Sequence, residues 1–219
     1  MALPRIPTYP LPTAADLPTP RADWQPDPAR AALLIHDMQR YFCAPFPTHG
    51  APLPGVVAHI ARLASAARAA GIPVFYTAQK GDQFRPDRGL QADLWGPGMT
   101  ADPDHETILP DLAPQPGDIM LVKHRYSAFQ RSNLETLMRA RARDQLLITG
   151  IYAHIGCLAT AAEAFQRDIQ PFAIGDAQAD FDRARHDMAM GWVAGCCGGV
   201  MTTEAVLAAL ISGVRQQCA

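Results

Sequence analysis

The stretch Ala31-Ala32-Leu33-Leu34-Ile35-His36-Asp37 decides the fold. Its continuous apolar run stops abruptly at two polar residues, which reads as a strand buried on both faces with polar groups at its carboxyl end. The pattern returns downstream. Pro73–Thr77 (PVFYT), Ile119–Lys123 (IMLVK), Gln145–Gly150 (QLLITG) and Pro171–Gly175 (PFAIG) read as further strands, with Val200–Thr202 as a short sixth. Helical signals lie between them. Val56, Ile60, Leu63 and Ala67 recur at helical spacing, with Pro54 at the first helical position and Gly71 just past the end. Ser132 and Glu135 form a capping box for a helix presenting Leu134, Leu137 and Met138. Cys157–Arg167 reads as a helix with Leu158, Ala162 and Phe165 aligned; others are expected from about Asp182 to Ala194 and around Glu204–Leu210.

Buried strands alternating with amphipathic helices predict a three-layer, doubly wound α/β fold with a six-stranded, mainly parallel sheet. No internal repeat, low-complexity segment or linker divides the chain, so residues 1–219 are expected to form one domain. Residues 1–30 carry Pro4, Pro7, Pro10, Pro12, Pro18 and Pro20. They are expected to lie as an extended arm over the domain surface or a partner subunit, with Trp24 as anchor.

Composition narrows the function classes. The formal net charge of −2 gives no basic field for nucleic acid and no attraction to an anionic membrane. No apolar run reaches the roughly 18–20 residues needed to span a bilayer, and the N-terminus lacks a secretory apolar core. A cytoplasmic location is expected. Cys43, Cys157, Cys196, Cys197 and Cys218 show neither disulfide-framework nor zinc-site spacing. No phosphate-cradling glycine motif follows a strand, and Gly195, Gly198 and Gly199 read as a helix-ending turn. These readings predict an enzyme without cofactor or metal, acting on a small molecule.

In a parallel sheet, ligands bind beyond the carboxyl ends of the strands. Asp37, Gln79 and Lys123 follow the first three strands, and Tyr152 to Gly156 follow the fourth. Gathered on one rim, a carboxylate and an ammonium make an acid–base pair. The residues alone equally allow Asp37 as a turn or cap residue and Lys123 as a solvated edge charge. His36 reads as a structural strand-end histidine, and no serine partner supports a Ser-His-Asp triad.

Several ordered segments resemble isochorismatases. They are Leu33-Leu34-Ile35-His36-Asp37-Met38-Gln39, Tyr76-Thr77-Ala78-Gln79, Trp95-Gly96-Pro97-Gly98, and Val122-Lys123-His124-Arg125-Tyr126-Ser127-Ala128-Phe129. Gly150-Ile151-Tyr152-Ala153-His154-Ile155-Gly156 and Arg167-Asp168-Ile169-Gln170-Pro171-Phe172 complete the set. The resemblance implies the isochorismatase-like hydrolase fold and cleavage of an enolpyruvyl vinyl ether. It implies Asp37 as general acid and Lys123 as its neighbour and carboxylate ligand. Gln79, Arg88 and Tyr152 would supply hydrogen bonds and charge to the substrate carboxylates, while Phe42, Trp95 and Tyr126 would form apolar walls.

The superfamily also contains cysteine hydrolases, with a nucleophile in a G-x-x-T-D-x-C-V-like segment. Here the nucleophile position falls on Gly156, which would leave room for substrate and expose backbone; Cys157 is one residue late. Cys157 reads as a small buried hydrophobe, the minority reading being a thiol activated at a helix N-terminus. The histidines of the nicotinamidase metal site have no counterpart in Gln79-Lys80-Gly81-Asp82-Gln83-Phe84. Two substrates fit the resemblance. Ile155-Gly156-Cys157 and Val122-Lys123 resemble the siderophore branch, acting on isochorismate. Tyr9-Pro10-Leu11-Pro12-Thr13 and His36–Phe42 resemble the phenazine branch, acting on 2-amino-2-deoxyisochorismate. His124 departs from the Trp of both. No carrier domain is expected after the last helix. The resemblance further implies a homodimer or higher homo-oligomer, and a catalytically silent binding relative is the rival from another class.

Overall fold

A computed structural model describes residues 3–217 of the chain, with side chains through residue 211. Six strands form the sheet: β1 (Ala31–His36), β2 (Val74–Ala78), β3 (Ile119–Val122), β4 (Gln145–Ile151), β5 (Gln170–Ala179) and β6 (Gly199–Met201). Their order is β3-β2-β1-β4-β5-β6, and every pairing is parallel. The order reverses direction at β1, which places a crevice beyond its carboxyl end between β2 and β4.

Strand alternation divides the core. Leu33, Ile35, Val74, Tyr76, Leu147 and Phe172 face the layer containing the Leu53–Ala69 and Thr203–Gln217 helices. Leu34, Phe75, Leu146 and Ile148 face the other layer, which contains the helices Leu134–Arg139, Leu158–Gln166 and Arg183–Cys196. This period of two puts His36 on the second face, toward the turn that follows β4.

The Leu53–Ala69 helix buries Val56, Ile60, Leu63 and Ala67, the face expected from spacing. Other expectations need correction. The buried face of Leu158–Gln166 is Thr160, Ala161 and Ala164, whereas Phe165 is 47% exposed. Small residues let this helix approach the sheet closely, and the Thr160 hydroxyl is satisfied by the Gly156 carbonyl at 2.7 Å. The capping box does not form. Ser132 Oγ accepts from Leu134 N at 3.2 Å, while Glu135 pairs with Arg167 and Arg139. β5 continues past Gly175 to Ala179 because its polar residues find partners: Asp176 accepts from Thr203 N, and Gln178 Nε2 donates to Ile148 O. Gly195 lies within the last turn of the Arg183–Cys196 helix rather than after it.

The arm packs on its own domain. Ile6 and Tyr9 are buried and anchor it, with Trp24 only partly buried. Tyr9 Oη accepts from Asp180 N at 2.7 Å, and Leu17 packs against Gly175, where a Cβ would lie 2.5 Å from it.

Candidate active site

Sheet register assembles the site. His36 lies opposite Thr77 on one side and Gly150 on the other, and Ala78 lies opposite Val122. The residues that follow these pairs, Asp37, Gln79, Lys123 and Tyr152, therefore emerge at one level on one rim. Gly150 has a φ of +105°, and a Cβ there would lie 2.2 Å from His36 O. Only glycine allows the two strands to close at this level.

Asp37 has a φ of +52°, in the left-handed region that Asp tolerates better than most residues. Its amide donates to Thr77 Oγ1 at 3.1 Å, and Thr77 Oγ1 donates to Asp37 Oδ1 at 2.7 Å. The other carboxylate oxygen, Oδ2, lies 2.7 Å from Lys123 Nζ, and the side chains of this pair are only 7% and 3% exposed. Lys123 Nζ also donates to Arg125 O at 3.0 Å and Tyr126 O at 3.4 Å. Burial raises the Asp37 pKa, but Lys123, His36 and the hydrogen bonds from Lys123 and Thr77 outweigh it. The net direction is below the ordinary carboxylate range, so the free site holds an ionised Asp37.

The pair lines a cavity of about 660 Å³, part of it open to solvent. Gln79, Arg88, Trp95, Tyr126, Tyr152, Gly156 and Phe42 lie around the same space, although spread over much of the sequence. Arg88 belongs to the short Arg85–Arg88 helix and is 6% exposed, not a solvated loop residue. Its Nε donates to Gly96 O at 2.6 Å, and no carboxylate lies within ion-pair distance among the described residues. Burial lowers its pKa, yet a guanidinium stays protonated at neutral pH. A buried cation without an acidic neighbour on a cavity wall is a ready anion site.

Trp95 Nε1 donates to Tyr126 Oη at 2.7 Å, locking those walls together. Tyr152 Oη donates to Phe42 O at 2.6 Å. Its hydroxyl proton is thus committed to protein, and its ring packs 4.5 Å from that of Phe181, both residues lining the cavity. A hydrogen bond from Tyr152 to a substrate carboxylate therefore has to come from a group other than this hydroxyl proton.

Gly156 lines the cavity, but the room expected there for substrate is taken by another group. A Cβ at this position would lie 2.2 Å from His36 Cε1 and 2.8 Å from His36 Nε2. The imidazole, rather than substrate, takes the space a side chain would need. Cys157 is 2% exposed within the second core layer, and burial pushes its thiol well above the ordinary range. In the Ala153–Cys157 turn the thiol is raised first by desolvation and then by the Asp37 and Asp180 charges, which Lys123 only partly opposes. No cysteine lines the cavity among the described residues. Cys218 lies outside them.

Sequence reasoning passed over Gln39 and Phe181. Gln39 is fully buried; its Nε2 donates to Gln79 O and Glu106 O, each at 2.8 Å, and its Oε1 accepts from Gln79 N at 2.7 Å. It thereby fixes the backbone of Gln79. The signal was its place two residues after Asp37. Phe181 lines the cavity from beyond β5, where no pattern marked it.

Fold and site define a class: a doubly wound α/β protein with a buried Asp–Lys pair at the strand ends. The isochorismatase domain model matches residues 31–205, and the chain belongs to the isochorismatase family. It is 50% identical over 207 residues to the isochorismatase of Bacillus subtilis (strain 168), covering 94% of this chain and 66% of that protein. It is 48% identical over 205 residues to the phenazine biosynthesis protein PhzD of Pseudomonas fluorescens, covering 94% of this chain and 98% of that protein. Among solved structures, the cysteine hydrolase from Pseudomonas syringae pv. phaseolicola 1448A is 28% identical with a TM-score of 0.80. That alignment covers 90% of this chain and 98% of the other. The chain thus spans just under two thirds of the Bacillus relative and nearly all of the phenazine one.

Proposed function

We propose that this protein hydrolyses the enolpyruvyl vinyl ether of isochorismate, giving pyruvate and 2,3-dihydro-2,3-dihydroxybenzoate without a covalent enzyme intermediate. The observation that carries the reading is the buried Asp37–Lys123 pair, 2.7 Å apart, in a cavity with no cysteine among its described residues. Vinyl ether cleavage needs a proton at carbon rather than a nucleophile. The Asp37 carboxyl delivers its proton to the terminal methylene carbon, leaving an oxocarbenium ion. Water adds to that ion, and its released proton returns to Asp37. The resulting hemiketal collapses by transferring its hydroxyl proton to the ring oxygen, freeing pyruvate and the ring alcohol.

Asp37 is ionised in the free site, so the acid must form on binding by taking a proton from solvent, which is returned when product leaves. Substrate carboxylates that engage Lys123 and Arg88 divert the positive charge that holds the Asp37 pKa down. Burial, the opposing influence, then favours the protonated carboxyl. Gln79 adds polar contacts, and Phe42, Trp95, Tyr126 and Tyr152 bound the ring.

The second reading is release of pyruvate from 2-amino-2-deoxyisochorismate, favoured by the full-length match to the phenazine relative. Purified protein supplied with each substrate, with Asp37→Ala as control, tests both by pyruvate release. Release from isochorismate supports the main reading, and release from the amino compound alone replaces it with the second. No release above the Asp37→Ala background would make the chain a silent binding relative.

The same proposal includes a homodimer or larger homo-oligomer. Phe84, Leu90 and Leu94 are 70%, 80% and 63% exposed along the segment that supplies Arg88 and Trp95, apolar surface that a second copy would cover. Light scattering that finds only monomer would remove this part. A cytoplasmic setting fits the free thiols of Cys43, Cys157, Cys196 and Cys197 and is checked by cell fractionation.

A further inference from the structure

We propose that His36 is a positioning residue for the Asp37–Lys123 pair, an imidazole strut whose place decides where the Lys123 ammonium sits. The inference rests on the proposed vinyl ether chemistry for its kinetic consequence, but the strut itself is geometric. His36 is the last residue of β1 and has no solvent exposure. Its Nδ1 lies 2.8 Å from Ile151 O, at the end of β4, and its Nε2 lies 3.3 Å from Tyr126 O, in the loop after β3. One ring thus meets three of the four strand ends that bear the site.

The Tyr126 carbonyl is shared. Lys123 Nζ approaches the same oxygen at 3.4 Å while holding Asp37 Oδ2 at 2.7 Å. A neutral imidazole carries one N–H, and the shorter contact assigns it to Ile151 O. The unprotonated Nε2 then meets Tyr126 O at 3.3 Å as a steric contact rather than a hydrogen bond, and Lys123 supplies the donor to that oxygen. Ring and ammonium are therefore placed with respect to each other. The charged groups facing the ring are Asp37, with Oδ2 3.7 Å from Nδ1, and Lys123. Gly156 closes the remaining side, since any Cβ there would enter the ring's volume. The histidine and the glycine form one steric unit, and a methyl group at 156 pushes directly on the strut.

The test compares His36→Asn, His36→Leu and Gly156→Ala. An Asn side-chain nitrogen takes the place of Nδ1 and keeps the bond to Ile151 O; Leu fills the volume without a donor. Two readouts are taken: kcat and its pH dependence for pyruvate release, and the Asp37 carboxyl titration by carbon NMR in substrate-free protein. His36→Leu and Gly156→Ala are expected to lower kcat about ten- to a hundredfold. KM should change much less, and the Asp37 titration should move upward as the ammonium drifts. His36→Asn is expected to recover most of the kcat. A folded His36→Leu with the wild-type Asp37 titration and kcat would overturn the proposal, as would an Asn variant as damaged as Leu. If His36→Leu does not fold, an unchanged Asp37 titration in Gly156→Ala overturns it instead. Wild-type protein that releases no pyruvate would sink the functional reading alone, because the NMR titration still decides the role of His36.

Discussion

Replacing Lys123 with Met removes the ammonium from a site it shares with one buried carboxylate and keeps most of the side-chain volume. Lys123 is 3% exposed, so no solvent replaces the lost charge readily. Asp37 Oδ1 retains Thr77, but Oδ2 loses its partner at 2.7 Å. Breaking a buried pair in this way costs about 3–5 kcal/mol when the survivor stays charged. Asp37 has a cheaper course, which is to bind a proton. Burial, the largest influence on it, then acts with less opposition and lifts its pKa above the unfolded value.

The sign follows from linkage. In the wild type the folded pKa of Asp37 is lowered. Its contribution is fully present above the unfolded value, near 4, and is lost only as pH falls through the folded one. Between pH 5 and 8 the wild type is flat with respect to this group. In Lys123→Met the folded pKa is raised, so stability falls as pH rises through that interval, by up to about 1.4 kcal/mol per pH unit. Urea unfolding of both proteins at pH 5 and pH 8 should show a destabilisation at least about 1 kcal/mol larger at pH 8. Equal destabilisation at the two pH values would refute the reasoning, because it would mean that Asp37 does not titrate as a desolvated group.

Other substitutions separate the remaining roles. Arg88→Met removes the buried guanidinium with no acidic neighbour, and should raise KM for a dicarboxylate at least about tenfold with a smaller effect on kcat; steady-state kinetics of pyruvate release check it. Tyr152→Phe deletes the hydrogen bond to Phe42 O, and should lower stability by about 1 kcal/mol in urea unfolding while KM changes less than about threefold. A tenfold rise in KM would restore the direct substrate contact that the observed bond argues against. Cys157→Ala should keep kcat within about threefold and lose about 1–2 kcal/mol of stability, since the thiol is core packing. Loss of turnover in a folded Cys157→Ala variant would revive thiol catalysis.

The sequence alone determined the layers and the rim. Apolar runs ending at His36-Asp37, Thr77, Lys123 and Gly150 called for parallel strands, buried except at the edge strand before Lys123, where Met120 and Val122 are exposed. The topology rule for such sheets then gathered Asp37, Gln79 and Lys123 without coordinates. Helical spacing likewise identified the buried face of Leu53–Ala69. Local pattern could not decide contacts between residues distant in sequence. The buried face of Leu158–Gln166 is made of small residues because a sheet must come close, which hydrophobicity does not record. The hydroxyl of Tyr152 is spent on a carbonyl 110 residues away. The glycine at 156 is required by a histidine 120 positions earlier in the numbering, whose ring fills the space that would hold a side chain. Periodicity reports which way a residue faces; steric exclusion and hydrogen-bond satisfaction, which only the assembled fold sets, decide what it meets there.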